Sequence, residues 1–558
     1  MFPEKVTQTS DESPIHSLLK AEWESLLPYG EIDDDANFYN LGGTSLMALT
    51  LLKRLQQLTA PRLRLTDLLR CAKFSDQVQL ITDLASDHPP VGVAAPAPVV
   101  SSVQAFRLEP ARREIRELGI ARMRPIAFVL RLDGIVNIDH LADAVRELVC
   151  RHESLRTSFI DDHGNIAVEV RSLPADWRPR IEDLRHLQGK ASRDWIWTAI
   201  KDATAKGIDL RKSPLAVAMV GMISDHESFV AIIIDHVAAD GMSLNILRAD
   251  LAELYAARCE ARAPRLPKLD RPAQEVLIDI TREMSANSDK RLADWRRLLQ
   301  GYPSPPSFEL FPSQPLKDAN GYRGPAALMK RTLDRRLMTR FDQATREMGI
   351  SAVSAFVGIT YLAAHLVSGA SDICIICPNM CRDSFDAQYV VNCFVDPMIV
   401  RITDIFAGRP CGTPIRNVVA HAAARIAEST RIVMPFNTVL EAIDTEAEPI
   451  NAINGGPMRP WLWCNYIPSG SQSAPFFDVT ATLVEPKIEL IDFPNVRLYW
   501  DRFDSGLNLS VTAPKTYRQT EVRNLRDVAA ALFRACATDP EKSAAELSDN
   551  SKRSRCAC

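Results

Sequence analysis

Two short stretches of this chain carry side chains that could do chemistry in the order in which they stand. In FVAIIIDHVAADGMSL, from Phe229, an apolar run delivers Asp235 and His236 to its end, and Asp240 and Gly241 follow. Alternation along a strand sends Asp235 and His236 in opposite directions, so His236 would emerge alone at the mouth of a cleft, a proton acceptor or hydrogen-bond partner. Asp240 could hold the loop if an arginine paired with it, and Gly241 would allow a tight turn into the next helix. The competing reading is a strand that ends in ordinary polar loop residues. In DANFYNLGGTSLMALTLL, from Asp35, two glycines permit a turn that β-carbons would obstruct. Thr44 stands where a helix cap belongs, leaving Ser45 exposed at the helix start, where unpaired N–H groups and the helix dipole favour an attached phosphate. A plain helix cap would use the same residues.

A third group is made of sulfur: Cys374, Cys377 and Cys381, with Cys393 further on. The spacing looks metal-like, but Cys374 and Cys377 lie in the apolar run ICIIC, which reads as a buried strand. Residues three apart in a strand point to opposite faces, so those two sulfurs could not share one ion, and no metal is expected. The 12 cysteines follow no pattern and suit a reducing cytosol. The closing SKRSRCAC has the outward form of a prenylation signal and reads as a polar tail.

The elements that must position these residues follow from apolar periodicity. IHSLLKAEWESLL places Ile15, Leu18, Leu19, Trp23, Leu26 and Leu27 on one helical face. A helix starting near Ser45 and another from about Phe74 to Leu84 complete a small bundle. Residues His88 to Ser102 contain four prolines and no charged side chain, an extended tether between domains. Beyond it, strands (IAFVLRL, LAVAMVGMI, FVAIII, ICIIC, LNLSVT) alternate with helices (IDHLADAVRELVCRH, SLNILRADLAELYAA, VSAFVGITYLAAHLV), and RPAQEVLIDITREMSANSDKRLADWRRLL reads as a mainly helical bridge. Beyond about Asp539 the polar composition predicts disorder. The boundaries that result are a helical unit at 13–86, a Pro/Ala-rich tether at 87–100, two lobes at 101–275 and 276–540, and a tail at 541–558.

Composition narrows the class. With 558 residues, 46% apolar and 24% charged, the chain has ordinary soluble globular composition and room for several domains. Its 66 basic and 70 acidic residues leave a formal charge of -4, no electrostatic footprint for nucleic acid or an anionic membrane. The first twenty residues hold no signal-like apolar block, and no apolar stretch is long enough to span a bilayer.

The segment around Ser45 resembles the thiolation (peptidyl carrier) domain of nonribosomal peptide synthetases. The resemblance covers the opening helix, the D-x-N-F-Y-x-L-G-G-T-S-L motif and the apolar helices after it. The family often has Phe-Phe where Phe38 and Tyr39 stand. It implies 4′-phosphopantetheine carried on Ser45, and hence a phosphopantetheinyl transferase as partner. The region after the tether resembles the condensation domains of the same synthetases, whose signature is H-H-x-x-x-D-G. Here the catalytic second histidine is His236, Asp240 and Gly241 keep their places, and Asp235 replaces the first histidine. RHESLRTSF (Arg151 to Phe159), a weakened opening block near Gln104, NCFVDPMIVR from Asn392 with Asp396 and Pro397 substituted, and VMPFNTVLEAI around Pro435 and Phe436 match further blocks in order. By this resemblance Arg156 braces the core near the catalytic loop, and Arg382 pairs with Asp240.

The implied architecture is multidomain, a small all-α four-helix carrier bundle followed by an α/β condensation domain of two lobes, V-shaped like chloramphenicol acetyltransferase, with a tunnel between them. The implied function is an acyltransferase in a cytoplasmic secondary-metabolite pathway, joining an acyl or peptidyl thioester on Ser45 to an acceptor amine. No loading domain fits in the remaining length, so a separate protein is expected to load Ser45, and the acceptor arrives as a small amine or alcohol or on another carrier. The Asp235 replacement makes ester formation with an alcohol an alternative. A non-catalytic platform that recruits tailoring oxygenases, and a free small-molecule acetyltransferase, complete the alternatives.

Overall fold

The structure, a computed structural model, describes residues 14–27, 32–38, 41, 47–48, 51–52, 54–55, 63, 67–68 and 71–86, then 125–301 except 163–164, 188 and 270, and 324–546 except 404–411, 437, 440–461, 471–472, 485–490, 493–495 and 516. The tether at 87–100, the block near Gln104 and Ser45 itself lie outside the described residues. The chain divides into two compact units, residues 1–95 with 382–389 in one, and 96–381 with 390–558 in the other.

In the first unit, α1 (Pro14–Leu26) and α2 (Phe74–Ser86) bury Leu19, Trp23, Phe74 and Ile81 against Leu51, Leu52 and Leu55. Trp23 lies at the centre. Phe38 and Phe74 meet it edge-on, each with ring centroids at 5.2 Å, and its indole N–H donates to Gln77 Oε1 at 3.0 Å. Such edge contacts suit the positive rim and negative face of the rings. Phe38 belongs to the motif that leads to Ser45. Its N–H donates to Ala72 O at 2.8 Å, and Phe74 N–H donates to Ala36 O at 2.9 Å. The motif's aromatic residue is therefore part of the bundle core.

In the second unit one sheet has six strands, β1 (Pro125–Asp133), β4 (Arg180–Asp183), β5 (Ala216–Ser224), β6 (Glu227–Asp235), β11 (Ser473–Phe476) and β12 (Val479–Val484), in the order β11-β12-β1-β6-β5-β4. Helices α3 (Ile138–Arg151) and α5 (Gly241–Cys259) cover one face, and α4 (Lys190–Lys206) covers the other. On β6, Val230, Ile232 and Ile234 belong to the first core, while Phe229, Ala231 and Ile233 belong to the second. That double covering explains the uninterrupted apolar run before Asp235, which a half-exposed strand would not tolerate. The hairpin β2 (Thr157–Asp162) and β3 (Asn165–Val170) stands apart.

The other sheet has seven strands: β7 (Gly324–Asp334), β8 (Ile373–Asn379), β9 (Asp396–Ile402), β10 (Leu462–Gly470), β13 (Ile491–Asp492), β14 (Val496–Phe503) and β15 (Gly506–Pro514). Their order is β13-β7-β15-β14-β10-β8-β9. Phe341, Phe356, Trp500 and Phe533 stack into the core on one face. On β8, Ile373, Ile375 and Cys377 join that core, whereas Cys374 and Ile376 join Trp295, Ile432 and Phe436 on the opposite face. The two sulfurs point apart as strand alternation requires. Burial pushes both the Cys377 and Cys464 thiols up, the latter to about 12. Among the described residues no single helix is long and apolar enough to cross a membrane.

Two segments pair across the expected boundaries. Strands β11 and β12, from the C-terminal half, join the N-terminal sheet, with Val129 to Asp133 pairing Val484 to Thr480. Without them β1 would present an open edge. Gly134 allows this crossing, because a β-carbon there would stand 2.5 Å from Val479 Cγ1. The N-terminal sheet thus draws strands from both sides of residue 275 in the sequence. The expected tail also starts later: Lys542 O and Pro540 O accept from Ile415 N at 2.9 Å and Arg416 N at 3.0 Å, and Ala544 is buried. The first turn of the Ile415–Arg431 helix needs acceptors for its unpaired N–H groups, and this segment supplies them. Residues 547–558 lie outside the described residues.

The Ala352–Ser368 and Ile415–Arg431 helices cross so closely that a β-carbon on Gly358 would stand 2.8 Å from Val419 Cα. Gly358→Ala gains about 1 kcal/mol of helix propensity but meets an overpacking cost of about 1–3 kcal/mol. The variant should be net destabilised by about 1 kcal/mol, read from the midpoint of urea unfolding.

Candidate active site

β6 ends at Asp235, and the chain turns at once. Asp235 is fully buried. Its N–H donates to Leu215 O at 3.0 Å, its carbonyl accepts from Ala238 N at 2.9 Å, and its Oδ1 accepts from Val237 N at 2.9 Å. The aspartate that replaces a histidine therefore closes an Asx turn over the next two residues. His236, inside that turn, is half-buried.

Asp240 is the N-cap of α5, and its carboxylate is shared among three donors. Oδ1 lies 2.8 Å from Ser243 N and 2.9 Å from Ser243 Oγ, and Oδ2 accepts from Phe394 N at 3.2 Å. Ser243 Oγ is also 2.9 Å from Asn392 O and accepts from Asn392 N at 3.3 Å. Asp240 and Ser243 are fully buried, and Asn392 nearly so. This clasp fastens the histidine loop to residues 392–394, which lead into β9. It brings Cys393 Sγ to 3.8 Å from His236 Nδ1.

Gly241 is the first residue of α5 and does not use a left-handed conformation, and a β-carbon there would meet nothing within 4 Å. The tight turn expected of it is made instead by Asp235 and Asp240. Arg156 donates to Cys150 O at 3.0 Å and to Arg171 O at 2.7 Å, bridging the end of α3 to the end of β3. Its neighbour Leu155 accepts from Leu215 N at 2.7 Å, and Leu215 in turn accepts from Asp235 N, so the early block is two hydrogen bonds from the histidine loop. Arg382 is buried, falls in the other unit and donates to Ala387 O.

In the same early block, His152 Nε2 lies 3.1 Å and Arg151 Nε 2.8 Å from Asp250 Oδ2. Burial holds the His152 imidazole below its ordinary value, and the Asp250 carboxylate opposes that shift without reversing it. The substituted Asp396 is used too, its Oδ1 accepting from Phe436 N at 3.3 Å and tying two distant blocks together. Residues missed in the sequence are Ser243 and Cys393. Ser243 had a signal, since Asp-x-x-Ser at a strand-to-helix turn is a capping pattern. Cys393 had none, being 157 residues from its histidine. Of the other cysteines considered for metal, Cys381 Sγ lies 3.9 Å from Met284 Sδ, and the four sulfurs occupy separate environments.

Residues 125–424, more than half of the chain, match the condensation domain, and residues 17–81 match the phosphopantetheine attachment site. Malpinin synthetase of Mortierella alpina is 24% identical over 77% of this chain. Phosphinothricin tripeptide synthetase PhsB of Streptomyces viridochromogenes is 26% identical over 80%. The chain spans 6% and 37% of the lengths of these two relatives. Among solved structures, the first condensation domain of the calcium-dependent antibiotic synthetase, bound to a substrate analogue, has a TM-score of 0.64 at 15% identity, covering 81% of this chain and 99% of that one. The X-domain in complex with OxyB from teicoplanin biosynthesis has a TM-score of 0.61 at 18% identity, covering 83% and 98%. SgcC5 from Streptomyces globisporus, bound to (R)-(-)-1-(2-naphthyl)-1,2-ethanediol and sucrose, has a TM-score of 0.61 at 20% identity, covering 79% and 99%. These likenesses establish the fold and the order of carrier before condensation domain.

Removing the Asp240 carboxylate strips a helix cap and leaves the buried Phe394 N–H without its acceptor. Asp240→Ala should lose about 2–4 kcal/mol in urea unfolding, whereas Gly241→Ala should leave stability within about 0.5 kcal/mol. A second expectation concerns pH. Because His152 stays neutral in the native state while the unfolded chain takes up a proton below 6.5, stability contributed here falls as pH drops from that value. His152→Gln should flatten part of the slope of unfolding free energy as pH falls below 6.5.

Proposed function

The chain belongs to the condensation-domain family, and we propose that it joins an acyl or peptidyl thioester, carried on phosphopantetheinylated Ser45, to an acceptor amine to form an amide. The observation that carries this reading is His236, half-buried in the turn after β6 and fastened by the Asp240 clasp. Ser45 supplies the hydroxyl that a phosphodiester needs, in a region that matches the attachment-site family. The attached arm presents the acyl group as a thioester, whose C–S bond breaks as the new C–N bond forms. His236 takes the proton that the amine sheds and holds it until the departing thiolate is neutralised, leaving the residue unchanged at the end of the cycle. The surrounding turn contributes by holding that imidazole in one place, which converts collision into orientation. Asp240 and Arg156 support the loop without touching substrate. A phosphopantetheinyl transferase and a loading protein are the proposed partners, and a reducing compartment suits the thiols at Cys150, Cys259 and Cys536.

Two observations favour other readings. Asp235 in place of the first histidine, together with a diol bound in the similarly folded SgcC5, supports an alcohol acceptor and an ester product. The likeness to an X-domain captured with OxyB supports a docking platform. Intact-protein mass spectrometry separates them. Ser45 is loaded enzymatically with an acyl-pantetheine, and pooled amines and alcohols are offered. Acceptor-dependent discharge should slow by about 10²–10⁴-fold in His236→Ala, and Ser45→Ala should take no load. The released product distinguishes amide from ester. Discharge at one acceptor-independent rate in both proteins would favour the platform and overturn the catalytic reading.

A further inference from the structure

A neutral imidazole carries one N–H, and the partner of one ring nitrogen determines which nitrogen keeps a lone pair for chemistry. For His236 that partner is unusual. Cys393 is fully buried, with its Sγ 3.8 Å from Nδ1. Its backbone is held on both sides: Asn392 contributes both O and N to Ser243 Oγ, at 2.9 and 3.3 Å, and Phe394 N donates to Asp240 Oδ2 at 3.2 Å. Cys393 N itself donates to the Asn392 side chain at 2.8 Å, and the preceding Val391 is buried in the core beneath the first sheet. Three consecutive residues are therefore tied, and the sulfur is held against the ring.

Resting on the reading of His236 as the proton acceptor, we propose that Cys393 is a positioning residue whose Sγ accepts a hydrogen bond from His236 Nδ1–H. With Nδ1 engaged by a buried sulfur, Nε2 is the working nitrogen. Protonation at Nδ1 leaves the lone pair on Nε2, as a base requires. Sulfur is a weak acceptor, so it selects the tautomer and the ring rotation while adding little to basicity, unlike a carboxylate in the same place. The clasp at Asp240 and Ser243 then acts on the chemistry through Cys393. This links the D-G of the histidine loop to the 392–394 segment by a defined chain of contacts.

The test uses the full chain carrying Cys393→Ala or Cys393→Ser, each with and without His236→Ala, and acyl-loaded at Ser45. Cys393→Ala should lower the turnover of loaded protein about tenfold with the acceptor KM unchanged. Cys393→Ser, whose hydroxyl oxygen can accept the same bond, should recover most of that loss, and Cys393→Ala should cost nothing more once His236 is gone. Independently of activity, ¹⁵N spectra of histidine-labelled protein should show Nδ1 protonated in the parent and a tautomer mixture in Cys393→Ala. An unchanged tautomer and turnover in Cys393→Ala, or a lone pair on Nδ1 in the parent, would overturn the proposal. If His236→Ala turns over at the parent rate, the acid–base reading fails. The spectra alone then decide the Cys393 contact, a tautomer shift sustaining it and an unchanged spectrum ending it.

Discussion

One buried carboxylate carries much of the organisation of this site. Asp240 lies at the junction of a strand turn and a helix, where α5 begins with unpaired N–H groups. One oxygen of that carboxylate satisfies the helix through Ser243, and the other reaches Phe394, which is 154 residues distant in sequence. A buried carboxylate is costly unless its lone pairs are used, so these three donors are what permits it to be there. The same bonds settle where Asn392 and Cys393 lie, and Cys393 in turn borders His236. Burial, capping and the site are one network.

The two sheets supply the rigidity that such a network needs. β6 is covered on both faces, so its end is a firm point from which Asp235 and His236 leave. β9 begins at Asp396, and the aspartate substituted there accepts from Phe436 N. Each half of the site thus grows out of a buried strand, and the loops between are short. Strands β11 and β12 reinforce the arrangement, because a segment from the C-terminal half completes the sheet that carries the histidine.

Local features were legible and distant ones were not. Helices such as Ile138–Arg151 and strands such as Glu227–Asp235 followed directly from apolar periodicity, since each is decided by neighbours within a few residues. Periodicity ended the apolar strand at Asp235 with His236 beside it, whereas Asp240 read as a loop holder awaiting an arginine, and its place as a helix cap emerges only with the fold. What failed depended on pairing across the chain. The short strands at Ser473–Phe476 and Val479–Val484 owe their sheet to β1, hundreds of residues earlier, and carry no local sign of it. Residues 540–544 read as polar tail because their role, supplying acceptors to the helix at Ile415, is invisible without that helix. Cys393 was grouped with other cysteines by sequence proximity, whereas its partner is an imidazole brought in by the fold.

Through Asp240 the histidine loop and the 392–394 segment become one cooperative unit. Native-state hydrogen exchange reads this at two amides, Ser243 and Phe394, both of which donate to that carboxylate. The two should exchange slowly, with the same opening free energy and the same denaturant dependence. Fast exchange of Phe394 while Ser243 stays protected would show that the carboxylate merely caps its helix and that the two segments open separately.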